Sequence, residues 1–481
     1  MTDAGFLAPF MFLSLFLLLL TGYPVAFVLG AVGLIFGCIG IWMDVIPFTL
    51  VHAVPERLFG IMRNDTLLAI PFFTLMGLIL ERSGMAEELL ESIGRLFARV
   101  RGGLAFAVII VGALLAATTG VVAASVMAMG LISLPVMLRQ GYSPAISSGV
   151  IMASGTLAQI IPPSLVLIVL ADTLSVPVGD MYIGAMLPSA ILVGLFATFI
   201  AVYALLKPQA LPRMDNPPPI VWRTLLLGLL PPLVLIFLVL GTIFIGLATP
   251  TEAGAMGAAG ALVIALIRRA LSLNLLNQAL TQTARLTCFV MFILLGSSLF
   301  GLVFRALGGD LWVEHLFGNL PGGTVGFLIA VNTLLFILGC FLDFFEIVFI
   351  VVPLLAPLLH QFGLSHVWFG VMVAMNLQTS FLTPPFGFSL FYLKSVAPPS
   401  LPIQKLYQGA VPFIVIQLVM VAMLMVFPDM VLKAGADQAP DDMNNAQVIA
   451  QLDGTSQSEA IKLMMQIADE FSQSTDNGVR P

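Results

Sequence analysis

Two stretches of this chain set hydroxyls, amides and paired prolines among apolar residues. One is Ser154-Gly-Thr-Leu-Ala-Gln-Ile-Ile-Pro-Pro-Ser164, the other Asn376-Leu-Gln-Thr-Ser-Phe-Leu-Thr-Pro-Pro-Phe-Gly387. A proline in a helix lacks an N–H, and its ring clashes with the carbonyl four residues back. The carbonyls of Ala158 and Gln159 in the first stretch, and of Ser380 and Phe381 in the second, are therefore expected to lose their helical partners. Proline also drives the preceding residue out of the helical region, which unwinds Ile161. Unwound carbonyls joined by hydroxyls are the oxygen ligands that a desolvated monovalent cation takes inside a membrane. Such groups persist at membrane depth only where protein or a water-filled cavity meets them.

The elements that would position them are membrane helices. The chain has 481 residues, 59% hydrophobic and 9% charged, with a mean hydropathy of +1.08, against about 25% charged in soluble domains. It reads as an all-α polytopic membrane protein. The first apolar stretch is not expected to be a cleaved signal, because it has no basic n-region and a second apolar stretch follows at once. Single spans fall at about 6–20, 24–42, 65–81, 181–206, 224–245, 250–267, 285–305 and 403–427, each near the roughly 20 residues that cross a bilayer. Residues 104–138 and 323–360 are too long for one span and carry small or polar residues at their centres, so they are predicted as re-entrant hairpins. Residues 142–172 and 366–393 hold the Pro-Pro breaks and read as broken spans.

An internal repeat appears at an offset of about 220 to 227 residues. Gly102-Gly103 matches Gly322-Gly323, Pro135 to Gly141 matches Pro357 to Gly363, and Pro162-Pro163 matches Pro384-Pro385. Each copy then holds five crossings and one hairpin, and an odd number inserts the second copy upside down. The organisation predicted is a first repeat at 1–206, a proline-rich cytoplasmic linker at 207–223, a second inverted repeat at 224–433 and a polar acidic tail at 434–481. Charge placement agrees: outside the tail there are 17 basic residues, and 13 of them, Arg82, Arg101, Arg139 and Arg285 among them, fall in loops that this topology makes cytoplasmic. Both termini are then periplasmic, and the hairpins open to opposite faces. Residues 85–100 and 310–320 read as amphipathic helices lying along the membrane surface.

Inverted repeats with broken helices point to a secondary transporter whose site lies at the repeat interface. One Na+ site per repeat is expected. The first would use Thr118, Thr119 and Gly120 at the hairpin tip facing Gly155, Thr156 and the carbonyls of Ala158 and Gln159; the second would use Gly339 and Asp343 facing Gln378, Thr379, Thr383 and the carbonyls of Ser380 and Phe381. The competing reading is that prolines and small residues merely permit kinks and close helix packing. Two breaks at matching repeat positions weigh against it. Acidic residues inside spans default to functional candidates, which favours Asp343, whereas Glu252 in Thr249-Pro-Thr-Glu252 reads as a helix cap. Ser154, Asn376 and Gln378 are candidates for substrate contact or, equally, for helix-to-helix hydrogen bonds. The cysteines Cys38, Cys288 and Cys340 sit in apolar segments as buried thiols, and the four histidines show no metal-ligand spacing. No P-loop motif occurs, so energy comes from an ion gradient or a partner. No catalytic residue, cofactor or nucleic-acid partner is expected.

Ala116-Ala-Thr-Thr-Gly-Val-Val-Ala-Ala-Ser125, Ser154 to Ser164, Ala248-Thr-Pro-Thr-Glu-Ala-Gly254, Phe341-Leu-Asp343 and Thr383-Pro-Pro-Phe-Gly387 together resemble the large membrane subunit of tripartite ATP-independent periplasmic (TRAP) transporters, over about residues 5–430. The resemblance implies an elevator-type carrier of the ion transporter superfamily in the bacterial inner membrane. It would be driven by Na+, fed by a periplasmic substrate-binding protein and braced by a small four-helix membrane subunit, with organic acids as substrates. Many members carry Gly-Ser-Ser or Gly-Ser-Gly at the first tip, where this chain has Gly120-Val-Val122 after Thr118-Thr119; the ion's hydroxyls would then come from these threonines or from Ser154 and Thr156. Two other readings stand beside this one: a self-sufficient Na+-coupled carrier needing no binding protein, and an intramembrane enzyme or scaffold.

Overall fold

The computed structural model describes residues 6–213, 222–318 and 320–431. The described residues are helices joined by turns and coil, with no strand among them. Residues 214–221 of the expected linker and the tail from 432 onward lie outside the described residues.

The chain begins with α1 (Leu7–Leu19) and α2 (Val25–Trp42), followed by α3 (Leu50–Met62) and α4 (Ala69–Arg82), the last entered through a 3-10 turn at Thr66–Leu68. Next come α5 (Met85–Phe97), the hairpin pair α6 (Gly103–Thr119) and α7 (Val122–Arg139), the broken pair α8 (Pro144–Thr156) and α9 (Leu165–Thr173), and α10 (Val178–Leu206). After the linker come α11 (Trp222–Phe244), α12 (Pro250–Ile267), α13 (Leu273–Ala306) and α14 (Gly309–Gly318). A second hairpin pair, α15 (Gly323–Gly339) and α16 (Phe344–Gln361), is followed by a second broken pair, α17 (His366–Ser380) and α18 (Phe388–Val396), and by α19 (Ile403–Val426). Among the described residues seven helices are long and apolar enough to cross a membrane, or up to nine if each bent pair counts as one span.

Both predicted hairpins turn where the small and polar residues sit, at Gly120–Val121 and at Cys340–Asp343, and both predicted breaks fall at the proline pairs. The Pro162–Pro163 and Pro384–Pro385 bonds are cis. Two expectations need correction. Residues 43–64 were assigned no span, yet α3 forms there around Pro55 with no buried residue, and it meets the following helix at a 48° bend. The span expected at 285–305 begins twelve residues earlier, at Leu273, where the Ser272 hydroxyl caps the Leu275 N–H at 3.1 Å. Its first third carries Asn274, Asn277, Gln278 and Gln282, which an apolarity criterion passes over, although Gln, Leu and Ala there are good helix formers.

The amphipathic α5 buries Leu89, Leu90 and Ile93. An ion pair from its Glu88 to Arg268 ties it to the end of α12. The first broken span is held at very short range by α19: a Cβ on Gly409 would lie 1.9 Å from the Ala145 carbonyl. Small residues thus let the last helix of the chain lie against α8, backbone to backbone.

Candidate functional site

The first hairpin tip forms because Gly120 ends α6 in the left-handed region, at φ +60°, where a side chain is strained. A Cβ there would also lie 3.2 Å from Leu165, the first residue after the break. Tip and break are therefore in contact. Thr118 and Thr119 both donate to the Leu115 carbonyl, at 3.0 and 2.9 Å, and the Thr119 hydroxyl also meets Ser125 Oγ at 2.8 Å. Against the hairpin, Gly155 of α8 abuts Val126 of α7 and Ser154 of α8 abuts Gly112 of α6. Ser154 Oγ donates to the Val150 carbonyl at 2.5 Å. Thr156 Oγ1 donates to the Ala153 carbonyl at 2.9 Å and accepts from Gln417 Nε2 of α19 at 3.4 Å. Leu157, Ala158 and Gln159 form a fully buried 3-10 turn, and both polar atoms of the Gln159 side chain are buried without a partner.

The second tip and break meet in the same manner. A Cβ on Gly339 would fall 2.1 Å from Ser380 Oγ, so the end of α15 lies directly on the end of α17. Thr379 Oγ1 donates to the Met375 carbonyl at 3.0 Å, Ser380 Oγ to that of Leu377 at 2.9 Å and Thr383 Oγ1 to that of Thr379 at 2.9 Å. Asp343 opens α16 as half of a capping box, its N–H donating to Glu346 Oε2 at 3.0 Å. Glu252 likewise caps α12, accepting from the Thr249 N–H at 2.8 Å. Gln378 is fully buried with both side-chain polar atoms unpartnered. Asn376 Nδ2 donates to the carbonyl and to Oδ1 of Asn332, each at 2.8 Å, tying α17 to α15.

Three of the carbonyls expected to be bare are not. Gln159 O accepts from Ser164 Oγ at 2.8 Å, Ser380 O from the Thr383 N–H at 3.0 Å, and Phe381 O from the N–H and hydroxyl of Ser389 at 3.1 and 2.8 Å. Ser164 and Ser389 beyond the proline pairs, and Thr383 just before the second pair, replace the lost helical donors. Each carbonyl oxygen has two lone pairs, so one such bond still leaves an acceptor site.

The two tips meet at a cavity of about 520 Å3. Val121–Ala123 from the first tip and Phe341–Glu346 from the second line it, with Phe381, Phe388 and Tyr392 after the second break. Leu286 and Phe289 of α13 and the corner from Leu19 to Val25 complete the wall. Of the residues singled out from sequence, only Asp343 and Phe381 face it; Ser154, Asn376 and Gln378 do not line it. The apolar α13 stripe was missed because nothing local distinguishes it from any lipid-facing helix. The structure also brings His360 and His366 together, ring centroids 4.5 Å apart, yet among the described residues no group of three His, Cys, Asp or Glu could hold a metal.

Residues 12–430 match the family described as the tripartite ATP-independent periplasmic transporter, DctM component. The chain is 31% identical over 383 residues to the C4-dicarboxylate TRAP transporter large permease protein of Pseudomonas aeruginosa, covering 79% of this chain and 88% of that one. It is 27% identical over 420 residues to the sialic acid TRAP transporter large permease protein of Vibrio cholerae, covering 86% and 95%. It is 27% identical to the isethionate TRAP transporter permease protein of Oleidesulfovibrio alaskensis, covering 85% of this chain and 63% of that longer one. Among solved structures, the Alcanivorax borkumensis YdaH transporter shares the fold at a TM-score of 0.53 and 16% identity, covering 79% of this chain and 87% of that one. The protein is thus a multi-pass membrane transport protein rather than an enzyme. The chain belongs to the DctM-component family of TRAP transporter large permease subunits.

Proposed function

We propose that the chain is the translocating subunit of a Na+-coupled organic-acid importer of the bacterial inner membrane, fed by a periplasmic binding protein and braced by a small membrane subunit. The observation that carries this reading is the cavity at which both hairpin tips meet, each tip lying on its own broken helix. Two halves built alike, with discontinuous helices at one shared chamber, suit an inverted-repeat carrier. The relatives are named for transport of C4-dicarboxylates, sialic acid and isethionate, all anions. Selection among such acids is left largely to the binding protein.

Na+ would bind twice. One ion sits among Thr118, Thr119, Gly120, Gly155, Thr156, Ala158 and Gln159, the other among Gly339, Asp343, Gln378, Thr379, Ser380, Phe381 and Thr383. Ordering each tip against its break by an ion would couple Na+ binding to the shape of the chamber between them. The hairpins and broken helices would then move as a body past the remaining helices, an elevator stroke. Co-reconstitution into proteoliposomes with the small subunit tests this: organic-acid uptake should need both an inward Na+ gradient and the binding protein. Uptake without the binding protein would favour a self-sufficient carrier, and uptake indifferent to Na+ would remove the coupling.

A further inference from the structure

A second cavity, of about 320 Å3, shares Val121, Ala123 and Leu286 with the one between the tips. It carries polar side chains on two of its walls. From α4 it takes Thr74, Leu78 and Glu81, which helical spacing sets on one face; from α13 it takes Gln282 and Arg285, one turn apart. Thr119 closes it at the hairpin tip. The seal there is tight, because a Cβ on Gly77 of α4 would lie 2.5 Å from the Thr119 Cα.

On the α4 side, two acceptors are buried without a hydrogen-bond partner: Glu81 Oε2, and Oγ1 of Thr74, a residue only 2% exposed. On the α13 side stands a cation. The ion pairs among the described residues are Glu91–Arg95 and Glu88–Arg268, and Arg285 is in neither. Gln282 Oε1 accepts from Arg82 Nη2 at 2.6 Å, which orients the amide while its NH2 keeps two donors for a ligand.

Buried acceptors without partners are costly, and an apolar occupant would leave them so. A plain carboxylate would satisfy Arg285 and Gln282 through charge-assisted bonds but would bring like charge toward Glu81. An occupant that suits both walls has an anionic group at one end and a hydroxyl or ammonium donor at the other. The volume lies at the small end of the roughly 300–1,000 Å3 typical of ligand pockets, which fits a short acid.

We propose that this chamber beside the first hairpin tip is a second binding site for the transported acid, anchored by Arg285 and selecting acids that carry a hydroxyl or amino group for Glu81 and Thr74. The proposal rests on the organic-acid reading above and adds a selectivity element inside the membrane subunit.

Isothermal titration of the purified chain with its small subunit tests it, using matched probes that differ by one hydroxyl: malate against succinate, and isethionate against ethanesulfonate. In at least one pair the hydroxylated acid should bind about tenfold tighter. Arg285→Gln should weaken that binding about tenfold or more, and Arg285→Lys should restore part of it. Glu81→Gln should shrink the preference within the pair to about twofold while leaving anion binding in place. Equal binding within both pairs, no binding of any of the four acids, or binding unmoved by Arg285→Gln would overturn the proposal. Na+-driven uptake that persists while binding ignores both substitutions would remove the chamber and leave the transport reading standing. Wild-type complex that binds the probes as described but shows no Na+-driven uptake would do the reverse.

Discussion

Asp343 carries two jobs that its neighbours separate. It is the N-cap residue of α16, reciprocated by Glu346, and it lines the cavity between the tips. Asn caps a helix about as well as Asp, whereas Ala at such a position costs about 0.5–2 kcal/mol. Asp343→Asn should therefore insert and melt like the wild type yet lose Na+-dependent uptake, because the charge is gone. Asp343→Ala should lose uptake and also lower the melting temperature by about one to three degrees. Uptake by the Asn variant at the wild-type level and with unchanged Na+ dependence would show that the carboxylate is a cap alone. Asn376 is the opposite case: its two bonds to Asn332 make it a strut between α15 and α17.

At the scale of elements, the seam between α4 and the first hairpin tip carries the clearest constraint. The atoms that a Cβ on Gly77 would meet belong to the backbone of Thr118 and Thr119, and backbone cannot rotate aside as a side chain can. Gly77→Ala should displace the tip at a cost of about 1–3 kcal/mol, with a larger loss of uptake than of stability if an elevator stroke passes this seam. Gly60→Ala, on α3 with open space around it, is the matched control and should transport normally. Comparing uptake rates and melting temperatures of the two variants checks this; equal uptake would mean that the seam is not on the transport path.

For the whole molecule, charge placement leads to the expectation that the two hairpins open to opposite faces. Cysteines introduced at Arg139, where α7 ends, and at Gln361, where α16 ends, should react with a membrane-impermeant maleimide from opposite sides of oriented vesicles, Arg139→Cys from the cytoplasmic side. Cys340 is buried as expected, whereas Cys38 and Cys288, expected to be buried thiols, are exposed on their helices; the native cysteines are first replaced by serine or alanine. Labelling of both positions from one side would refute the inverted arrangement.

Much of the fold was legible because it rests on local rules. Apolar length marked most spans, and Pro162-Pro163 and Pro384-Pro385 stopped their helices in the absence of any tertiary context. The glycine and hydroxyl-rich centres of 104–138 and 323–360 marked the hairpins, and Thr249 with Glu252 announced a cap. The start of α13 was hidden because its Asn and Gln residues lower hydropathy without stopping a helix, and α3 because Pro55 argues against it. The sites were only partly legible. Which donors would replace those lost at the breaks depended on Ser164, Thr383 and Ser389 folding back onto carbonyls three to eight residues away. That the two tips share one cavity, and that Arg285 faces the same chamber as Thr74 and Glu81, are contacts between residues more than a hundred positions apart in the chain. By itself the sequence determined where the helices break and turn, since backbone chemistry acts over a few residues; only the tertiary structure decided which side chains surround a ligand-sized space, since packing brings together residues that no local pattern connects.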